Sequence, residues 1–363
     1  MITAGVLLVG HTAATAADIA TVHVGNAGNL GFGTEGFGGV DYEYRIGKYE
    51  VTNAQYAEFL NGVDPTGTNG FDLYNTQMQT HVNGGITRNL SDADGAKYSV
   101  KSDYGQKPVV FVSWYDSLRF ANWLHNGQGT GDTETGAYTL LGGTVIPSDP
   151  TSITRNSGAK WALASENEWY KAAYHKNDGE TGNYFRYSNG SDQTSYSDQP
   201  GDSDAPDPTR AANVYRQDFT NNGYDDGYAV TGDTGFPELA GINGLTDVGS
   251  YTQTTTPYGA MDMTGNVIEW NETILAILGD LPVQGFRGES YNSAIYGGNF
   301  DDRFVRRVGS VVAGNYADQE IGFRVVQLVP EPTSGLMLVA AMTLLNARRR
   351  FCAGGESSSK SAL

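Results

Sequence analysis

Cysteine is almost missing from this chain: its 363 residues hold one, Cys352, near the C-terminus. A lone thiol excludes an internal disulfide framework. Basic residues are scarce as well, 23 Lys plus Arg against 41 Asp plus Glu, for a formal charge of -18. A phosphate backbone needs a basic footprint, so nucleic acid is excluded as a partner and cations are favoured. The five histidines, His11, His23, His81, His125 and His175, are scattered without metal-ligand spacing. G-x-S-x-G and H-E-x-x-H are absent, which removes the commonest hydrolase and metalloprotease signatures. The apolar run Gly335 to Ala347 falls short of the ~20 residues of a full transmembrane helix.

Glycine is abundant, at 48 residues, and tyrosine numbers 22. That composition suits many turns and irregular segments around an aromatic core, and argues against a helical bundle. The length admits one large domain or two ordinary ones. Two polar stretches, Asn126 to Asn156 and Asn177 to Thr246, are rich in Asp, Asn, Gly and Ser and read as long surface loops, so one domain with elaborate loops is expected. No internal repeat is present. The boundaries drawn are a signal-like segment at 1–17, a domain at 18–328, a terminal anchor at 329–350 and a tail at 351–363.

Three segments open with a Ser or Thr followed three residues later by a side chain that can reach back to the first free amide, the signature of a capping box. They are Thr52 with Gln55, Ser113 with Asp116, and Ser165 with Glu168. The first predicts a helix presenting Tyr56, Phe59 and Leu60 on one face; the second presents Trp114, Leu118 and Ala121; the third presents Trp169, Ala172 and Ala173. Alternation predicts strands through Tyr42, Tyr44 and Ile46 and through Ile321, Phe323 and Val325, and these two are expected to pair.

Tyr258 to Trp270, reading YGAMDMTGNVIEW, carries the most chemistry. An acidic residue, a tight Gly-Asn turn and an apolar strand with a second acid follow in order, so Asp262 and Glu269 can converge on one bend. Carboxylates flanking a Gly turn, with backbone carbonyls between them, are hard oxygen donors of the kind calcium prefers. The same pattern also makes an ordinary hairpin.

This segment resembles the GN-V-W-EW signature of the formylglycine-generating enzyme family. So do, in order, Tyr49-Glu50-Val51-Thr52-Asn53 with Tyr56 and Phe59, Pro108-Val109-Val110 with Val112-Ser113-Trp114, and Leu163 with Ser165-Glu166-Asn167-Glu168-Trp169. Arg287-Gly288 with Ser290-Tyr291 and the closing Gly322-Phe323-Arg324-Val325 complete the series, which runs from about Val40 to Val326. The resemblance implies an α+β fold, the formylglycine-generating-enzyme variant of the C-type lectin fold, with short helices around twisted antiparallel sheet and long irregular loops. It also implies calcium held by the side chains of Asp262 and Glu269 and the backbone of Gly265 and Val267. A second family site would begin at Asn213 and Val214, but its later acidic ligand falls on Leu239 or Asn243.

Active members of the family convert a sulfatase cysteine to formylglycine with copper(I) held by two cysteines just after an R-G-G-S motif. Soft thiolates suit copper(I). Here Arg287-Gly288-Glu289-Ser290 is followed by Ser293 and Gly298 at the aligned positions, and Glu289 and Ala164 are further departures. No copper and no formylglycine generation are therefore expected, and no catalytic residue is assigned. The sulfoxide synthases that the family also resembles need histidine-bound iron, which the scattered histidines do not provide.

Both ends resemble export signals. Ile2 to Gly10 is apolar and Ala14-Thr15-Ala16 fits a cleavage site, although the basic n-region is missing. That leaves open a misplaced start, a trimmed segment or a frayed apolar terminus. At the other end, Pro330-Glu331-Pro332, the apolar run and Arg348-Arg349-Arg350 resemble a PEP-CTERM sorting signal. In that family an exosortase of the Gram-negative envelope reads the Pro-Glu-Pro, and the basic cluster stays cytoplasmic. Membrane contact is expected through this segment alone, with the protein anchored in the envelope or released to the matrix.

The function expected is a non-catalytic, envelope-associated binding module for extracellular glycan or matrix protein. The alternatives are an enzyme of other chemistry using Glu269, Glu289 or Asp262, and a structural surface protein.

Overall fold

The computed structural model describes residues 17–201, 204–278, 281–293 and 315–329. They fall, up to Leu328, in one compact unit. The signal-like residues before Ala17, Gly298, the Pro330-Glu331-Pro332 motif and Arg348 to Arg350 lie outside the described residues.

All three capping boxes form. Thr52, Ser113 and Ser165 each sit in extended backbone, accept from the amide three residues on, and receive the reciprocal bond from Gln55, Asp116 and Glu168. They open the helices Asn53–Val63, Trp114–His125 and Glu166–Tyr174. The faces named from the sequence are buried: Tyr56, Phe59, Leu60, Trp114, Leu118, Ala121, Trp169, Ala172 and Ala173. The second helix is central rather than amphipathic, because even Arg119 is buried and paired with Glu134 at 2.6 Å.

One sheet joins Thr21–Val24, Tyr44–Gly47, Val325–Leu328 and Trp161–Leu163 in that order. The other places the long strand Ile268–Leu278 between Leu281–Arg287, antiparallel, and Ile321–Phe323, parallel. The expected terminal pairing occurs, as Ile46 against Val326, but the last strand is divided between the sheets. Phe323 pairs with Trp270 in the second sheet, whereas Val325 pairs with Leu163 in the first. The break falls at Arg324, whose buried guanidinium turns toward Glu269. Packing between the sheets and helices is aromatic: Phe120 lies 5.4 Å from Phe59 and 5.3 Å from Phe323 between ring centres.

Between His125 and Trp161 there is no helix or strand, and side chains organise the segment instead. Asn122 donates to the carbonyls of Thr133 and Tyr138. The stretch from Asn177 to Thr246 is less superficial than its polarity suggests. It pairs Tyr215–Gln217 with Asp226–Tyr228 and buries Asn213, Val214, Asp225 and Tyr228. Its polar side chains satisfy one another inside, as where Ser197 donates to the carbonyls of Val214 and Gly227.

Candidate functional site

The bend from Asp262 to Glu269 is built from three residues in left-handed backbone, Asp262, Gly265 and Asn266, with φ of 58°, 83° and 63°. Asn tolerates this region better than most residues because its short amide bonds locally. At Gly265 a side chain is also excluded sterically, since a Cβ would lie 2.3 Å from the carbonyl oxygen of Asn213. Asn266 is the hub: its amide donates to the carbonyl of Asn213, and its Oδ1 accepts from the amide of Thr246 and the side chain of Asn213. The structure thus brings the two sequence-derived calcium segments, 213–214 and 262–269, into direct contact.

Glu269, on the strand that follows, is 1 % exposed. Its Oε2 accepts from Arg324 Nε at 2.6 Å and from the Trp169 indole at 2.7 Å, and its Oε1 accepts from Arg324 Nη2 at 2.5 Å. Arg324 also donates to the carbonyls of Gly47 and Met261, so every arm of the guanidinium is used. Two further carboxyls face this pair. Asp262 accepts from the amide of Gly249, and burial pushes it up to about 6. Glu50 accepts weakly from Asn266 through Oε1 while its buried Oε2 has no partner. Burial, then the neighbouring Asp262, pushes Glu50 well above the usual carboxylate range, with Arg324 acting against them. One guanidinium cannot neutralise three carboxylates, so the arrangement favours a neutral Glu50.

A calcium ion takes six to eight oxygen ligands. Both oxygens of Glu269 are held in the fork of Arg324, and among the described residues no group of three or more His, Cys, Asp or Glu is arranged to hold a metal ion. With both oxygens of Glu269 taken by Arg324, the set Asp262, Gly265, Val267 and Glu269 does not fit calcium in this geometry. At the second segment Asn213 keeps a buried, unpartnered Oδ1, but no carboxylate joins it from the two aligned positions: Leu239 is 87 % exposed, and Asn243 Oδ1 accepts from the amide of Leu245. Arg324 was visible as part of a motif, yet its role was not. The signal was a basic residue interrupting an apolar strand, which the alternation pattern passes over.

The region following Arg287 is also internally bonded. Ser293 is 2 % exposed, and its Oγ accepts from the amide of Ser290 at 2.8 Å and lies 3.0 Å from Ser290 Oγ. Ser290 donates to Glu320 Oε2 at 2.6 Å, and Asn292 donates to Glu320 Oε1 at 2.7 Å. Arg287 is buried against Glu166 at 2.6 Å and over the Tyr170 ring. Glu289 is buried in the same stretch.

This α+β architecture, with its buried Asn266 bend and its Arg324–Glu269 joint, is that of a sulfatase-modifying-factor domain. The sulfatase-modifying factor enzyme 1-like domain matches residues 35–329, and the chain belongs to that family. Its fold is similar to that in the crystal structure of CarF, with 22% identity, 86% of this chain and 99% of that chain covered, and a TM-score of 0.51. Treponema denticola variable protein 1 shares 15% identity over 85% of this chain and 94% of its own, with a TM-score of 0.44. PvdO from Pseudomonas aeruginosa shares 15% identity over 85% of this chain and 92% of its own, with a TM-score of 0.40. No curated protein matches the sequence.

Among the described residues no helix is long and apolar enough to cross a membrane.

Proposed function

We propose that this member of the sulfatase-modifying-factor family is a non-catalytic, exported binding module that recognises an extracellular glycan or matrix component. The observation that carries the reading is Ser293. At a position where the resemblance places a copper-binding cysteine, this chain has a buried hydroxyl bonded to Ser290, and its one cysteine is Cys352, which aligns with neither copper position. A hydroxyl does not replace a thiolate as a ligand for copper(I). The Arg324–Glu269 joint supports the same reading, since it uses the most distinctive carboxylate of the family motif to hold strands together. Export at the N-terminal segment and sorting at Pro330-Glu331-Pro332 by an exosortase-type enzyme deliver the module to the envelope, where the arginines at 348–350 hold the tail until it is processed.

Two assays on the purified protein test this. Incubation with copper(I), oxygen and a sulfatase-derived cysteine peptide should give no aldehyde; copper-dependent conversion would overturn the non-catalytic reading. A glycan and exopolysaccharide array, run with calcium and with chelator, should show saturable binding. Absence of binding under both conditions would remove the glycan assignment.

A further inference from the structure

A second constellation lies beside two of the family motifs, where the strand Ile268–Leu278 faces the loop carrying Thr151 to Arg155. The two line an open cleft of about 610 Å³, within the ~300–1,000 Å³ usual for small-molecule sites. In its wall Glu272 accepts from Tyr138 at 2.5 Å and from Arg155 Nε at 2.9 Å, both on Oε2. Its Oε1 has no hydrogen-bond partner among the described residues, and the side chain is 18 % exposed.

The charges around it do not balance. Arg155 gives its two terminal nitrogens to Glu168, at 2.8 and 2.7 Å, and one of them also to the carbonyl of Leu163. Only Nε remains for Glu272. Glu168 is fully buried and further engaged by Tyr42 and the amide of Ser165. Two carboxylates thus share one guanidinium, and the surplus negative charge sits on the one that borders the cavity. Burial, and Glu168 beside it, raise the carboxyl of Glu272 against the pull of Arg155, so an added cation would relieve an existing deficit. The remaining wall alternates hydroxyls with aliphatic surface: Thr151 and Thr154 beside Ile153 and Ile274. An alkyl amine would leave the hydroxyls idle. A sugar ring offers both hydroxyls for the threonines and a C–H face for the isoleucines.

We infer that this cleft binds a hexosamine unit with a free amino group, its ammonium on Glu272 Oε1 and its ring against Ile153 and Ile274. The inference rests on the glycan reading above and names the chemistry of the sugar. No covalent step is involved.

The test is titration of the purified protein with glucosamine and with N-acetylglucosamine, and with their short β-1,4 oligomers, followed by ligand-observed NMR. The amine form should bind saturably and the acetylated form at least tenfold more weakly. Glu272→Gln keeps an oxygen for Tyr138 and Arg155, so the fold should survive, and it should abolish the preference for the free amine. Ile277 is 54 % exposed at the rim of the cavity, and Ile277→Arg places a repelling cation there without touching the core; it should also weaken glucosamine binding. Equal binding of both sugars, or a preference unchanged in both variants, would overturn the inference while leaving glycan binding intact. N-acetyl-lysine amide is the control for an amine of peptide origin. If it binds in a Glu272-dependent way while glucosamine does not, the sugar assignment is wrong. Failure of every glycan on the array would instead remove the broader reading.

Discussion

Arg324 closes on Glu269 through two parallel hydrogen bonds, Nε to Oε2 at 2.6 Å and Nη2 to Oε1 at 2.5 Å, where neither side chain is more than 1 % exposed. The pair locks the point at which the chain leaves one sheet for the other to the strand that follows the Gly-Asn bend. Removing one member of a buried pair strands the other charge, which typically costs about 3–5 kcal/mol, whereas replacing both is far less damaging. Arg324→Met should therefore destabilise the domain by roughly that amount, and Arg324→Met combined with Glu269→Leu should recover part of it. Urea unfolding in calcium and in chelator provides the check. Because Arg324 rather than a metal holds Glu269, the loss from Glu269→Leu alone should be the same in both; a Glu269→Leu loss seen only with calcium would make Glu269 a metal ligand.

Gly265 and Gly158 have nearly equal left-handed φ, 83° and 81°, but different surroundings. A Cβ at Gly158 meets nothing within 4 Å, while at Gly265 it meets the carbonyl of Asn213 at 2.3 Å. Gly158→Ala should cost only the backbone strain, about 1 kcal/mol. Gly265→Ala should cost about 1–3 kcal/mol more from overpacking. Thermal melts of the two variants would show this, and equal shifts would count against the tight Asn213 contact.

Asp116 closes the capping box of the helix Trp114–His125 and is buried, which pushes its carboxyl up to about 6 against the hydrogen bonds from Ser113. A carboxyl whose folded pKa is raised binds more protons in the folded state, so its contribution favours folding at acid pH. That contribution is lost as pH rises from about 4 to about 6. Asp116→Asn keeps an acceptor for the Ser113 amide and removes the titration. Its stability should fall less than that of the wild type across this window, as measured by urea unfolding at closely spaced pH values. Parallel pH profiles would contradict the assignment.

Ser165 accepts from the amide of Glu168 at 3.1 Å, and Glu168 answers through the amide of Ser165 at 2.7 Å while also holding Arg155. Loss of an N-cap hydroxyl costs about 1 kcal/mol. Ser165→Ala should cost at least as much as Thr52→Ala, whose partner Gln55 carries no buried ion pair. If Ser165→Ala proved the milder of the two, the coupling of this cap to Arg155 would be refuted.

The three helix starts were readable because a capping box is complete within four residues, and the faces they bury follow from helical period. The Gly-Asn bend was readable for the same reason: left-handed backbone is a local property of Gly and Asn. The ordered motifs also carried the family. What the sequence alone did not decide was the partner of each polar group. Glu269 fitted a metal ligand until the fold delivered Arg324 from 55 positions away, and a carboxylate bonded bidentately to a guanidinium no longer offers itself to calcium. The last strand read as one unit, yet it divides at Arg324 because a buried charge must reach its counter-charge. Glu272 had no distinguishing mark until Arg155, 117 positions away, was drawn beside it with Glu168. Local chemistry determined where the elements begin and turn; only the tertiary structure decided which charges are satisfied, because charge compensation depends on distances between residues remote in sequence.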